Sequence, residues 1–154
     1  MAVAAIVLEH GGDEDETVAA LLHDAVEDQG GKPTLEQIRR RFGERVAEIV
    51  DGCSDADETP KPPWRGRKET HLARLRGASA SVRLVSAADK LHNARCLLRE
   101  YRRRGDEVWD HFHGGRDGTL WYYRAVVDAL KHTGASPLLE ELDRAVAEIE
   151  RTSP

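Results

Sequence analysis

The sequence predicts an all-α fold, a single-domain helical bundle. Apolar residues recur at spacings of three and four along most of the chain, and no segment alternates apolar and polar residues at a period of two. The chain has 154 residues, which is enough for one domain with one core. The composition, 40% hydrophobic, 33% charged and 5% aromatic, is typical of a compact helical domain.

Glycine, proline and helix-capping residues divide the first third of the chain into helices. Acidic residues 13–16 favour the start of a second helix, because carboxylates complement the positive end of a helix dipole. Thr34, with Gln37 three residues later, is predicted to cap the third helix. The predicted helices cover 2–9, one continuous segment from Thr17 to Asp28, 35–42 and 44–50.

The remainder of the chain predicts a loop followed by five more helices. Residues 53–63 form a polar loop that ends in Pro60-Lys61-Pro62-Pro63, a sequence too rigid for a helix. The predicted helices then cover 64–76, 78–104, 106–112, 119–133 and 138–150, with a flexible loop at 113–118. The longest of these helices carries an apolar stripe with an aspartate, Asp89, in its middle.

A cluster of polar side chains interrupts the apolar helix around Val26. His23 and Asp24 are adjacent, and Glu27 and Asp28 follow them at helical spacing, so that two polar ridges lie side by side. Burial of such groups is tolerated mainly when they are paired or bind a metal. A solvated, acidic end of a helix is the alternative interpretation, and for this motif alone it is favoured.

A second motif, Ala88-Asp89-Lys90-Leu91-His92-Asn93-Ala94-Arg95, changes that balance. Asp89, His92 and Asn93 share one helix face by their spacing. An aspartate that returns on a distant helix to complete a His-Asp pair is a common way for a helical bundle to build a metal site in its core. A divalent ion on His23, Asp24 and Asp89 would keep open coordination positions, as catalytic metals do.

These motifs resemble those of the HD-domain metal-dependent phosphohydrolases. The sequence is similar in particular to the hydrolase domain of the RelA/SpoT alarmone enzymes and their small stand-alone relatives. The resemblance covers the first two thirds of the chain in matching order, and it rests on 22–28, on Phe42-Gly43-Glu44-Arg45-Val46 with Val50-Asp51-Gly52, and on 88–95. It implies a domain spanning 1–154 of the HD type and hydrolysis of guanosine tetra- or pentaphosphate, with release of the 3′-diphosphate as pyrophosphate.

The resemblance also implies a cofactor and roles for particular residues. It implies Mn²⁺ as the metal, although mixed nitrogen and oxygen ligands admit several divalent ions. A metal of this kind lowers the pKa of bound water from about 15.7 towards ~7 and polarises a phosphoryl oxygen. Glu27 and Asp28 are candidates to orient or deprotonate that water. Asn93 would contact the nucleotide, and Lys90 and Arg95 would hold phosphate or, equally, pair with acids inside the bundle.

One ligand of the family pattern has no counterpart. In the family a first metal-binding histidine precedes a Val-Ala-rich helix, and here Met1 stands about where that segment should be. His10 lies at the wrong end of the helix to replace it. The pattern predicts a domain that lacks its N-terminal helix and first metal histidine, and two alternatives remain: an HD-type enzyme acting on another nucleotide or phosphodiester, or a catalytically impaired nucleotide-binding domain.

A dense cationic run, Trp64-Arg65-Gly66-Arg67-Lys68, follows the proline-rich loop. Arg65, Arg67 and Lys68 have the chemistry of a phosphate clamp, because guanidinium and ammonium groups match phosphate oxygens. Pairing of Arg65 with Glu69, four residues later, is the alternative. The resemblance favours substrate contact, because this segment borders the active site in such enzymes.

Other candidate residues receive structural roles. His71, His111 and His113 are predicted to lie on the surface, and His92 either supports the site or packs in the core. Tyr122 or Tyr123 could face a nucleobase, although packing is the commoner role of an aromatic residue at helical spacing.

Charge and cysteine content limit the choice of partners. The formal net charge of −5 argues against a nucleic-acid partner and is compatible with a small anionic nucleotide. The two cysteines, Cys53 and Cys96, are predicted to be reduced thiols in a cytoplasmic protein. No segment approaches the ~18 apolar residues of a membrane span, so we expect no membrane partner, and the sequence leaves the oligomeric state undetermined.

Overall fold

The computed structural model describes residues 1–54 and 62–153. Over these ranges the chain forms helices, turns and short connections without a β-strand, which confirms the predicted all-α bundle. Within the described ranges the α-helices are α1 Ala2–Glu9, α2 Glu14–Leu22, α3 Ala25–Asp28, α4 Lys32–Phe42, α5 Glu44–Cys53, α6 Trp64–Arg76, α7 Ala80–Arg104, α8 Gly115–Lys131 and α9 Pro137–Thr152, and a 3₁₀ helix covers Gly105–His111.

Helix α7 is the centre of the bundle. It packs against α1, α2, α5, α8 and α9, and its buried side includes small residues such as Ala87, Ala88 and Ala94 that let neighbouring helices approach closely. The helix begins at the Ser79 cap and ends at Gly105, whose φ of 62° favours glycine. Because α7 carries Asp89 near its middle, the core packing fixes one half of the predicted site.

The predicted continuous helix from Thr17 to Asp28 is wrong. The chain leaves α2 after Leu22, passes through His23 and Asp24 as a turn, and resumes as α3 at Ala25. The imidazole Nδ1 of His23 lies 2.8 Å from the carbonyl oxygen of Ala20, one of the carbonyls left at the end of α2. His23 and Asp24 therefore lie at a helix junction, and not on the two straight polar ridges that the spacing predicts.

The predicted start of α4 is also wrong. Helix α4 begins at Lys32 after Gly31, and Pro33 occupies its first turn, where a missing N–H group costs nothing. The Thr34 hydroxyl donates a hydrogen bond to the carbonyl oxygen of Gln29 and does not cap the helix. The acidic start of α2 is confirmed, because Asp13 and Glu16 form a reciprocal capping box there.

The loop predicted at 113–118 is shorter than expected, because α8 already begins at Gly115. The short helix predicted at 106–112 is present as the 3₁₀ helix. Most of the proline-rich loop predicted at 53–63, including Pro60 and Lys61, lies outside the described residues.

Among the residues that the structure describes, none of the helices combines the length and the apolar composition needed to cross a lipid bilayer.

Candidate metal and phosphate site

The junction between α2 and α3 presents one nitrogen of His23 to the interior. The carbonyl of Ala20 can only accept a hydrogen bond, so the His23 Nδ1 beside it carries a proton. The other ring nitrogen, Nε2, is therefore the one that faces the site. This tautomer is the one in which a neutral histidine offers Nε2 to a metal.

Two carboxylates converge on that nitrogen, one from the α2–α3 junction and one from α7. The Nε2 atom of His23 lies 3.1 Å from Oδ2 of Asp24 and 3.2 Å from Oδ1 of Asp89. Asp24 is largely exposed, whereas His23 and Asp89 each expose only 14% of their side chains. The fold thus brings together residues that are far apart in sequence, as the two motifs predict.

Asp89 is held in place by three donors on its two oxygens. Asn93, one turn later on α7, donates from Nδ2 to Oδ1 at 2.9 Å. Lys90 donates from Nζ to Oδ2 at 2.7 Å, and His23 faces Oδ1. These protein contacts orient the carboxylate towards the His23 ring.

The contacts among His23, Asp89 and Lys90 stabilise the charged form of each residue. Burial by itself would lower the pKa of His23, but hydrogen bonds to Asp24 and Asp89 outweigh burial and raise the pKa to about 10. Burial opposes ionisation of Asp89 as well, yet the positive charge of Lys90 and the contact with His23 hold its pKa below the usual range. The partner Lys90 has a raised pKa, because the attraction of Asp89 exceeds the cost of its burial.

These residues line a small cavity of about 60 Å³. Its wall is mostly polar and combines residues from the α2–α3 segment and from α5, α6, α7 and α8: His23, Asp24, Glu27, Cys53, Lys68, His71, Val85, Ser86, Asp89, Lys90 and Tyr122. The cavity therefore brings three acidic residues, two histidines and two lysines around one space.

A second cavity of about 220 Å³ adjoins the first, and both share the walls formed by Lys68, Lys90 and Tyr122. Aromatic rings and the 113–114 turn dominate the rest of its lining: Trp64, His111, Phe112, His113, Gly114, Thr119 and Tyr123. Two lysine ammonium groups thus border both a small polar cavity and a larger aromatic one.

The predicted site residues divide into two groups. Glu27, Lys68 and Lys90 line the small cavity together with the three candidate metal ligands. Asp28 and Arg67 line neither cavity, and Asp28 is exposed.

Arginine and asparagine candidates make contacts outside the cavity wall. Arg65 donates to Glu69 at 2.8 Å and places its guanidinium carbon 3.3 Å from the centre of the Trp121 ring. Arg95 pairs with Glu141 of α9 at 2.7 Å. Asn93 reaches the site through Asp89.

His71 was predicted to lie on the surface, and that prediction is wrong. Its side chain belongs to the buried face of α6, with 7% of the residue exposed, and it lines the small cavity. The signal was present in the sequence, because Trp64, Lys68, His71 and Leu75 recur at the spacing of one helix face. Cys53 and Ser86 also line the cavity, and burial raises the pKa of the Cys53 thiol to about 12.

The structure also shows where the remaining candidate tyrosines and histidines lie. Tyr122 and Tyr123 are buried, and Tyr122 also contributes to both cavities. His92 is partly buried and its Nε2 lies 3.6 Å from the Cys96 sulfur. His111 and His113 are exposed, which confirms the prediction that they are surface residues, and both also line the aromatic cavity.

The donor set has the chemistry of a divalent metal site. Two ligands at right angles, each about 2.0–2.2 Å from one ion, are about 3 Å apart, and the observed distances from the His23 Nε2 to the two carboxylates are 3.1 and 3.2 Å. In the described part of the chain, however, no three His, Cys, Asp or Glu side chains are already arranged to hold an ion. The donors are paired with one another and with Lys90, so an ion would have to replace the His23 proton.

Comparisons with known proteins bear on the family and the fold of the chain. The model of the HD domain family matches residues 1–120. A guanosine-3′,5′-bis(diphosphate) 3′-pyrophosphohydrolase from Haemophilus influenzae is 39% identical over 112 residues, which cover 68% of this chain and 16% of that protein. The pyrophosphohydrolase MESH1 from Xenopus tropicalis is 38% identical over 111 residues, which cover 71% of this chain and 57% of MESH1.

The match thus spans about a sixth of the length of the Haemophilus influenzae protein and little more than half of the length of MESH1. Among solved structures, that of lmo0812 from Listeria monocytogenes EGD-e superposes with a TM-score of 0.87 and 29% identity, over 97% of each chain. The predicted resemblance, which rests on the His-Asp motif and the distant aspartate, is confirmed. The chain belongs to the HD domain family.

Proposed function

We propose that the chain is a metal-dependent phosphohydrolase that removes the 3′-diphosphate from guanosine tetra- or pentaphosphate and releases pyrophosphate. The observation that carries this proposal is the convergence of Asp24 and Asp89 on the Nε2 atom of His23, beside two lysines, in a cavity that opens towards an aromatic one. The relatives named for this reaction support the choice of substrate.

His23, Asp24 and Asp89 would hold the metal. One nitrogen and two carboxylate donors suit several divalent ions, and we propose Mn²⁺. When bound, such an ion supplies a water of lowered pKa and polarises a phosphoryl oxygen. The Nδ1 contact of His23 with Ala20 and the Asn93 contact with Asp89 would fix the orientation of two of the ligands.

Glu27 is the residue that we propose as the base. It lies in α3, one turn after His23, and its carboxylate lines the small cavity. A carboxylate there can accept a proton from the attacking water and hold it for the leaving group. Asp28 remains a candidate to assist from outside the cavity wall.

The lysines are proposed to bind phosphate. Lys68 and Lys90 are the cations common to both cavities, so they can contact a phosphate that enters from either side. Asn93, the partly buried Arg67 and the exposed Arg65 and Arg95 are proposed as further nucleotide contacts, which requires Arg65 and Arg95 to leave Glu69 and Glu141. The two free cysteines, Cys53 and Cys96, support a reducing, cytoplasmic environment.

The direct test is pyrophosphate release from guanosine tetraphosphate, measured with and without Mn²⁺. We expect Mn²⁺-dependent formation of pyrophosphate and GDP, and we expect Glu27→Gln to lower kcat by about 100-fold or more, in line with the loss of a general base. Turnover that survives both chelation of metal and Glu27→Gln would contradict the mechanism.

A second candidate is nucleotide binding without turnover. It is favoured by the donors that are paired with one another, without a preformed group of three among the described residues. A panel of nucleotides and phosphodiesters, with metal, separates the candidates. Thermal stabilisation by guanosine tetraphosphate without product formation would support nucleotide binding without turnover. Hydrolysis of another phosphoester, and not of guanosine tetraphosphate, would support a different HD-type activity.

A further inference from the structure

Trp64, the first residue of α6, packs into a seat on the start of α8. Its ring lies edge-on to two aromatic rings, with centroid distances of 6.1 Å to Trp121 and 6.3 Å to Tyr122. The floor of the seat is formed by Gly114 and Gly118, which precede those rings by one to two helical turns. We call Gly114 and Gly118 together the glycine seat.

The glycine seat exists because the indole needs the space of the missing side chains. A Cβ atom at Gly114 would lie 2.7 Å from Cη2 of Trp64, and one at Gly118 would lie 3.2 Å from Cζ3. Gly114 has a φ of −84°, which any residue adopts, so its backbone does not require glycine. Contact with the indole is therefore the physical reason for glycine at this position.

Lys68 lies one turn after Trp64 on the same face of α6. Its ammonium group is 4.9 Å from the centre of the Tyr122 ring, and that of Lys90 is 5.9 Å from the same ring. Tyr122 is thus contacted by Trp64 and by both lysines that border the two cavities.

Side-chain capping does not fix the start of α6. Its N-cap is Pro63, which makes no side-chain hydrogen bond to the first turn. Contacts that hold this turn against α8 include Trp64 in the glycine seat and the Arg65 guanidinium over Trp121. Movement of Trp64 would therefore move Lys68.

We infer that Trp64 is a positioning residue. By packing in the glycine seat it fixes the Lys68 ammonium group between the two cavities, where that group binds a substrate phosphate. The phosphate-binding role of Lys68 rests on the proposed function. Trp64 acts through Lys68 and does not touch the reacting atoms.

The test is a graded series of alanine substitutions at glycines. Gly114→Ala forces the largest movement of Trp64 and Gly118→Ala a smaller one. Gly66→Ala is the matched control in α6 itself, because an added Cβ there meets nothing within 4 Å. Lysines are labelled by reductive ¹³C-methylation, and the Lys68 signal, identified with Lys68→Arg, reports its position over the Tyr122 ring without any substrate.

We expect Gly114→Ala to remove the ring-current shift of the Lys68 signal and to raise KM for guanosine tetraphosphate about tenfold at unchanged kcat, as expected for one weakened charge-assisted hydrogen bond of about 1.4 kcal/mol. Gly118→Ala should have a smaller effect and Gly66→Ala none. Combining Gly114→Ala with Trp64→Phe should restore the signal, because a phenyl ring does not reach the added methyl group.

An unchanged Lys68 signal in Gly114→Ala would overturn the inference. So would a changed signal with an unchanged KM in an active enzyme, because the lysine would then not serve the substrate. If the wild-type chain hydrolyses no alarmone, the proposed function fails on its own. The alarmone KM is then replaced by the KM or Kd for the phosphoester or nucleotide that the panel identifies, or for inorganic pyrophosphate. The Lys68 signal and this constant then decide the inference in the same way.

Discussion

Asp89 is the side chain on which the charge balance of the site depends. It accepts hydrogen bonds from Lys90 and Asn93 and faces the imidazole of His23. Removing its charge would leave the half-buried Lys90 without its carboxylate partner and His23 with Asp24 alone. Asp89 therefore contributes to stability as well as to the proposed metal site.

We predict that Asp89→Asn abolishes metal binding and turnover and lowers the free energy of unfolding by about 3 kcal/mol, because it breaks a buried ion pair while keeping the shape of the side chain. Helical content should remain largely intact. Metal titration, urea unfolding and circular dichroism measure the three effects. Asp128→Asn, the same change at an exposed position of α8, is the control and should change none of them.

The histidine at the site gives the metal-free protein a pH dependence. The pKa of His23 is raised from 6.5 to about 10. A raised folded-state pKa stabilises the fold fully below about 6.5, and this contribution is lost as the pH rises through 10. Between these values we predict that the free energy of unfolding in chelator falls by up to about 1.4 kcal/mol per pH unit.

Urea unfolding at several pH values measures this slope, and His23→Gln is the reference in which it should be absent. A slope of the same size in both proteins would contradict the charged His23.

At the scale of elements, side-chain capping marks the start of some helices, and among the described residues it is seen at α2, α7 and α9. The Ser136 side chain accepts a hydrogen bond from the Leu139 N–H at the start of α9, and Pro137 follows it in the first turn. The sequence predicts α9 from Leu138, one residue away from the observed start. Here the capping chemistry is local, so the sequence alone is sufficient.

We predict that Ser136→Ala destabilises the protein by about 1 kcal/mol, because the amide of Leu139 loses its acceptor. Ser136→Asp should retain most of the stability, since a carboxylate accepts the same hydrogen bond and complements the helix dipole. The midpoints of thermal unfolding compare the variants. Equal loss in both would show that the hydroxyl acts through something other than capping.

Local rules failed at two helix starts for identifiable reasons. At α4, Gly31 adopts a φ of 63° and Pro33 fits the first turn, so the helix begins before Thr34, which had the better capping signature. At the α2–α3 junction, His23 contacts the end of α2 and Asp89 across the bundle, and a contact of that range is invisible in helical spacing.

At the scale of the whole molecule, α9 closes the core against α7 and α8. Leu142, on the inner face of α9, is fully buried, whereas Leu8 in α1 remains 58% exposed. The two leucines therefore offer the same substitution in opposite environments.

We predict that Leu142→Ala lowers the free energy of unfolding by about 2–5 kcal/mol, because it removes buried apolar surface and leaves a cavity. Leu8→Ala should change it by less than about 0.5 kcal/mol. Chemical denaturation measures both values. A loss at Leu142 no larger than that at Leu8 would mean that α9 is not part of the cooperative core.

The sequence by itself determined the all-α class, most helix boundaries, the pairing of the His-Asp motif with Asp89 and membership of the HD domain family. The fold class and the helix boundaries rest on periodicity and capping, which are local, whereas the pairing with Asp89 and the family rest on the resemblance of two motifs that lie far apart in the sequence. Only the tertiary structure decided that His71, Cys53 and Tyr122 line the site, that Arg95 pairs with Glu141, and that Trp64 occupies the glycine seat. Each of these depends on which helix faces meet across the bundle, and that choice is made by packing the whole core at once.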